Sequence, residues 1–366
     1  MRTTLLADMY QSAGPFASVT VDVSQDTQSG AHEHEIRVRD ACRELLEAGA
    51  YEAVVAAVAD RLRADVGEPA PVARTVVANP EGVLFDRVVH TRVSRPRVSW
   101  GPLPDISAWI EAEDGATPFV LALVDHEGGD VGVYSSDVPE PVVETSPGGE
   151  TWHVHKVPSG GWSQMRYQRV TENVWRRNAE AVAEEVLSRV RSGPRLVLLA
   201  GDPHAVGEVR KGLEGTPAEV VHLQTGTRAE DGGVEARQQA IREALFDHAV
   251  ARRTELAQTL EDRLGRHEAV AVDVDEVADA FVRGQVDTLL LDPEAAAERT
   301  LRPRDHPGLM LGEFPVLKEV PADRALIAAA ALTGADVAVE RAEALGGRPV
   351  AALLRWDQPA EGTGTR

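Results

Sequence analysis

The chain has 366 residues and a formal net charge of −21, from 38 Lys and Arg against 59 Asp and Glu. This length accommodates two or three domains with cores of their own, and the acidity excludes indiscriminate nucleic-acid binding, since phosphates are approached only where cations are concentrated. One cysteine, Cys42, excludes an intramolecular disulfide, and with no run near the ~20 apolar residues of a membrane span and no signal-type N-terminus the expectation is a soluble, cytoplasmic protein.

In chain order, Ala17 to Val23 alternates as a half-buried strand, and Ile36 to Leu46 and Tyr51 to Leu62 carry helical periodicity. Strands Thr75 to Ala78 and Gly82 to Phe85 flank the turn Asn79-Pro80-Glu81, and a proline-rich stretch from Arg95 to Asp105 leads to a boundary near Gly115 to Pro118. Phe119 to Val124 is a buried strand that turns through Asp125 to Asp130 into Val131 to Tyr134. Leu196 to Ala200 and Val220 to Leu223 are further strands, with a helix from Pro203 to Leu213 between them. A long helix carries Ile241, Leu245, Leu256, Leu260 and Leu264 in phase, and Gly265 is its expected end. Helices Val274 to Val282 and Ala322 to Thr333 then alternate with strands Val286 to Leu291, Asp336 to Val339 and Val350 to Arg355. The expected fold is α/β, with three consecutive α/β domains at 1–117, 118–230 and 231–366.

Between the second strand pair and the next helix lies the segment that breaks the charge pattern. From Lys156 to Arg177 there are five cations, Lys156, Arg166, Arg169, Arg176 and Arg177, against the single acid Glu172, a local balance of +4. Gly160 and Gly161 free the backbone at the head of this segment, so a loop tip there can enter a narrow space. With a helix starting near Ser163, Arg166, Arg169, Asn173 and Arg176 or Arg177 share one face that suits a phosphate backbone. Ala179, Val182, Ala183, Val186, Leu187 and Val190 form a separate apolar stripe that docks the C-terminal half on a sheet.

The run from Gly160 to Ala183, followed by Leu196-Val197-Leu198-Leu199-Ala200-Gly201, resembles the central domain of the archaeo-eukaryotic class-1 release factors. That family carries a Gly-Gly-Gln tip, an Arg-aromatic pair, a second arginine and a long helix leading to an apolar strand. Gly160 and Gly161 match its glycine pair, Arg166 and Tyr167 its Arg-aromatic pair, and Arg169 its second arginine. Trp162 departs from the pattern, standing where the family has the glutamine that positions water at the peptidyl-tRNA ester; Gln164, two residues later, is the one candidate to substitute for it. Residues 282–291 and 346–356 are similar to the C-terminal domain of the same superfamily, which includes Pelota and the bacterial Balon-like hibernation proteins.

The resemblance implies a central domain carrying the Gly-Gly loop and long helix, and a ribosomal-protein-like α/β/α sandwich at the C-terminus. It implies a ribosome-binding translation factor, in hibernation or stress protection, whose loop occupies the A site and peptidyl-transferase centre. Gly160, Gly161, Trp162, Arg166, Tyr167, Arg169, Arg176 and Arg177 would then contact ribosomal RNA or tRNA, with elongation factor Tu as a partner. The alternative is a peptidyl-tRNA hydrolase acting in ribosome rescue, with Gln164 as the catalytic residue. No cofactor and no metal is expected: His32-Glu33-His34-Glu35 alternates as on a strand or loop and reads as solvated side chains, and His153 and His155 read as exposed strand residues. Gly201-Asp202-Pro203-His204 reads as a capped helix start.

Overall fold

The computed structural model describes residues 3, 6–25, 30–67, 70–136, 138–148, 162–224, 234–312, 316 and 318–356, with the backbone alone over 138–142, 162–173, 192 and 234. The fold is mixed α/β with several sheets, in two compact units: Met1–Gly115 with Glu255–Arg366, and Ala116–Thr254.

The first unit opens with helix α1 (Ala7–Tyr10), strand β1 (Phe16–Asp22) and helices α2 (Gly30–Glu47) and α3 (Glu52–Arg63). Strands β2 (Ala73–Asn79), β3 (Gly82–Val89) and β4 (Arg97–Gly101) and helix α4 (Ser107–Gly115) follow. The sheet order is β3-β2-β1-β4, antiparallel throughout. At the β2–β3 turn, Asn79 Oδ1 accepts the N–H of Glu81 at 2.9 Å and of Gly82 at 3.2 Å, which closes the hairpin.

Three readings of this region are corrected. Six of the seven residues of β1 are buried rather than one face of them. Val19 and Val21 pack with Val38, Leu45, Val58 and Leu62; on the other face Ser18 Oγ accepts the Asp105 N–H at 2.9 Å, and the Thr20 and Thr75 hydroxyls meet at 2.8 Å. Hydroxyls tolerate that burial because they are hydrogen-bonded there. The proline-rich stretch holds strand β4, which pairs with β1; Pro96 and Pro102 flank the strand and interrupt no ladder. His32-Glu33-His34-Glu35 lies in α2, not on a strand or loop, and spacing of two on a helix turns the imidazoles apart. His32 is exposed, but His34 is buried, and burial, then nearby Arg37, lowers its pKa. Glu35 forms a two-point pair with Arg63 at 2.9 and 2.8 Å.

The second unit holds β5 (Pro118–Asp125), β6 (Gly128–Ser135), β7 (Val138–Thr145), α5 (Trp162–Ser192), β8 (Leu196–Gly201), α6 (Pro203–Gly212), β9 (Glu219–His222) and the start of α7 (Val234–Arg266). Its sheet runs β7-β6-β5-β8-β9, with β8 parallel to both neighbours and the β5-β6-β7 part antiparallel. On one face Val182 and Val186 of α5 and Val206 and Val209 of α6 cover Val120, Ala122, Val124, Val197 and Leu199. On the other, Ala240, Ile241, Ala244 and Leu245 of α7 cover Phe119, Leu121, Leu196 and Leu198. The helices thus make a three-layer domain in which each sheet face buries its alternate residues.

The β8–α6 junction forms as a capped helix start: the Asp202 carboxylate accepts the N–H groups of His204 and Ala205 at 2.9 and 3.0 Å, with Pro203 in the first turn. Gly201 makes the junction possible. Its φ is +126°, and a Cβ there would sit 2.0 Å from the Val124 carbonyl oxygen, a backbone atom that cannot swing aside. Gly201→Val is expected to cost about 3 kcal/mol or more from forced backbone strain, read as a lowered urea midpoint of the second unit or as loss of soluble protein. An unchanged midpoint would show that β5 and β8 separate more easily than this packing allows.

α7 runs through Gly265 to Arg266, so that glycine does not end the helix; the turn comes at His267, with φ +54°. Its residues from Glu255 onward belong to the first unit. There follow β10 (Val270–Val272), α8 (Val274–Val282), β11 (Val286–Leu291), α9 (Pro293–Ala297), β12 (Thr300–Leu301), β13 (Val320–Pro321), α10 (Ala322–Thr333), β14 (Asp336–Val339) and β15 (Val350–Leu354). The sheet order is β10-β15-β11-β14, with β11 and β14 parallel, and β12 pairs with β13 apart from it. Helix α10 is buried on nearly all sides. Its Leu326, Ile327 and Ala329 share one core with Leu6, Tyr10, Trp109 and Ile110 of the chain's first part and with Leu289, Val337 and Val350.

Candidate nucleic-acid interface

Helix α5 carries the cationic segment of the sequence. From Val174 onward it is anchored: Val174, Asn178, Ala179, Val182, Ala183 and Val186 are buried, and Asn178 Nδ2 donates to the His126 carbonyl at 3.1 Å. Arg189 and Glu185 pair one turn apart, and Glu185 also accepts the Thr145 hydroxyl at 2.9 Å, tying the helix to β7. Since α5 leads into β8, its N-terminus lies toward the end of the sheet where β5 and β8 finish.

Helical phase relates the cations to this anchor. At about 100° per residue, Arg166, Arg169, Asn173 and Arg177 fall within an arc of about 80° on the helix, roughly opposite the centre of the buried stripe. Arg176 and Arg177 are exposed, and Arg176 Nε lies 3.7 Å from Glu180 in an exposed i, i+4 pair, a kind worth little in water. Trp162 opens α5, and Gln164, Arg166, Tyr167 and Arg169 follow in its first turns. By phase Trp162 lies on the arginine side and Gln164 about 160° from Arg166, near the anchored side. Gly160 and Gly161 lie outside the described residues, as do His153, His155 and the Gly232-Gly233 pair.

A second cationic stretch belongs to the first unit. Between Asp86 and Asp105 the chain has no acid over residues 87–104, and Arg87, Arg92, Arg95 and Arg97 are all exposed, on β3, the β3–β4 connection and the start of β4. Arg87 lies over the Phe85 ring at 5.5 Å. Reading the prolines as the approach to a domain boundary hides this stretch; the length without an acid, in a chain of charge −21, is the signal that exposes it. Among the described residues no group of three His, Cys, Asp or Glu side chains is placed to hold a metal ion, and no helix is long and apolar enough to cross a membrane.

An uncharacterized protein of Mycobacterium tuberculosis is 28% identical over 369 residues, covering 97% of each chain. Among solved structures, Archaeoglobus fulgidus Pelota aligns at 16% identity over 78% of this chain and 80% of its own, with a TM-score of 0.30. S. cerevisiae Dom34, a translation termination-like factor interacting with Hbs1, aligns at 10% identity over 79% and 81%, with a TM-score of 0.43. Residues 118–266, which hold the whole sheet of the second unit together with α5 and α7, match the family described as bacterial archaeo-eukaryotic release factor family 2. Over that segment the chain is similar to the bacterial branch of the archaeo-eukaryotic release factor superfamily.

Proposed function

We propose that the protein is a ribosome-binding translation factor whose central domain occupies the A site and peptidyl-transferase centre, in hibernation or stress protection rather than in peptide release. The observation that carries this reading is α5: a helix anchored by one stripe, with its arginines roughly opposite, headed by a glycine pair in an acidic protein. Gly160, Gly161 and Trp162 are assigned to the tip, and Arg166, Tyr167, Arg169, Arg176 and Arg177 to ribosomal RNA or tRNA. The exposed arginines at 87, 92, 95 and 97 supply a further set of phosphate contacts. Elongation factor Tu is the proposed protein partner, and ribosomes explain how so acidic a protein binds RNA, since ribosomal proteins neutralise part of its repulsion.

Gln164 bears on the hydrolase alternative. It stands two residues past the position where the release-factor family carries its glutamine, and Trp162 at that position favours occupying the catalytic centre over hydrolysing its substrate. The test is sucrose-gradient sedimentation of a stationary-phase lysate, with peptide release from loaded ribosomes assayed in parallel. Migration with 50S or 70S particles without peptide release is the expected outcome. Absence from all ribosomal fractions overturns the proposal, and release that Gln164→Ala stops replaces it with the hydrolase.

A further inference from the structure

Three rings meet in the second unit where β5 and β8 end. His126, in the β5–β6 turn, stacks on Trp175 of α5 with ring centroids 4.0 Å apart and planes 23° apart. His204, in the first turn of α6, stands edge-on to Trp175 at 6.4 Å and lies 6.1 Å from His126. One part of this group is fixed in place. Asn178 holds the His126 backbone, and the Asp202 carboxylate, which caps α6, lies 3.5 Å from His126 Nε2.

Packing accounts for the His126–Trp175 stack, which fastens α5 next to the buried Val174. It does not account for His204. That imidazole is exposed, no hydrogen bond holds it among the described residues, and Trp175 beside it is half-buried. Arg176 belongs to the same patch: the Glu208 carboxyl is held below its usual range first by Lys211, with smaller contributions from His204 and Arg176.

We propose that His204 and Trp175, backed by His126, form a stacking platform for an unpaired RNA base, separate from the loop tip. This inference rests on the ribosome-binding reading of α5. The chemistry selects a base over a phosphate as the group that sits on the rings, because Asp202 and Glu208 border them and would repel an anion. A base presents a neutral π face to an aromatic surface. The neighbouring Arg176, exposed on α5 about 100° around the helix from Trp175, then takes the flanking phosphate.

The experiment titrates the full-length protein with an oligoadenylate of about twelve nucleotides and with an abasic ribose-phosphate chain of the same length. His204→Ala and Trp175→Phe are compared with the unaltered protein, and circular dichroism confirms the fold of each. The expected result is a loss of affinity of about fivefold or more for oligoadenylate in His204→Ala, a smaller loss in Trp175→Phe, and no change for the abasic chain. Failure of the unaltered protein to bind oligoadenylate overturns the platform, as does an equal loss for both chains or a change within about twofold. Ribosome cosedimentation of the same proteins separates the two readings: an unaltered protein that cosediments while failing the oligonucleotide test leaves the ribosome reading standing and removes the platform alone. Loss of cosedimentation in His204→Ala without loss of oligoadenylate binding assigns the rings to a protein contact and also overturns it.

Discussion

Replacing Arg166 and Arg169 together by glutamate is expected to remove ribosome cosedimentation at physiological ionic strength. Each reversal changes the charge by two, so the balance of +4 between Lys156 and Arg177 falls to zero. The remaining charge of the protein then acts against approach to RNA, because only Lys156, Arg176 and Arg177 are left of that segment's cations. Loss of two phosphate contacts lowers the salt dependence of binding by about two units of slope, and affinity by at least about tenfold. Both positions lie in the N-terminal half of α5, ahead of Val174, the first buried residue of its stripe among the described side chains, so the domain is expected to fold normally, as judged by its melting temperature. Unchanged cosedimentation of a folded double variant would make the arginine side merely a solvated face and remove the main support for the proposed function.

Trp109→Ala is expected to cost about 3–5 kcal/mol, a large part of the roughly 5–15 kcal/mol that holds a typical domain folded. Trp109 is 4% exposed, packs edge-on against Phe85 with centroids 5.0 Å apart, and sits in the core that contains Leu326, Val337 and Val339. Its helix α4 is bound to the chain's last part by polar contacts as well. The Ser107 hydroxyl donates to Asp323 at 2.6 Å, Arg324 donates to Asp105 at 2.9 Å, and the Asp114 carboxylate accepts the Val339 N–H at 2.8 Å, covering the edge of β14. Burial pushes the Asp323 carboxyl above its usual range, with Asp105 adding to the effect.

The consequence is cooperative: damage in α4 is felt in β14, more than two hundred residues away along the chain. Urea unfolding should show a lowered midpoint, and amide exchange at Val339 should accelerate along with exchange in β1 and β2. Trp109→Phe keeps a ring against Phe85 and discards an indole N–H that meets no protein acceptor among the described residues, so it should cost less. If Val339 kept its protection while β1 and β2 lost theirs, the two parts of the first unit would not unfold together.

Much of the local structure is legible in the residues themselves. The apolar runs at Phe119 to Val124 and Leu196 to Ala200 form paired parallel strands, and the stripe from Ala179 to Val186 docks as its spacing implies. Asn79 closes its turn and Asp202 caps its helix. These features depend on neighbours within a few residues, where spacing and side-chain chemistry are read directly. The resemblance of the central segment to the release-factor family belongs to the same class, since a motif is local by definition. The acid-free stretch at 87–104 is equally local, and its prolines conceal it because they signal turns and boundaries more strongly than the short strand β4 signals itself.

What only the tertiary structure decided depends on segments far apart in sequence. Ser18 and Thr20 have the polarity of a solvent face, yet the segment at Asp105 and the neighbouring strand β2 cover them and supply their hydrogen bonds. His34 looks like half of a solvated or metal-binding pair until α2 turns it inward and its partner out. The alanine-rich helix α10 carries no sign of which elements surround it; its core is shared with α1 and α4 because complementary surfaces met there. Sequence by itself thus determined the periods, the turns and the cationic helix of this protein, through interactions between neighbours. Tertiary structure decided which faces are covered and which rings converge beside α5, because burial is a property of two surfaces and a single segment carries only one of them.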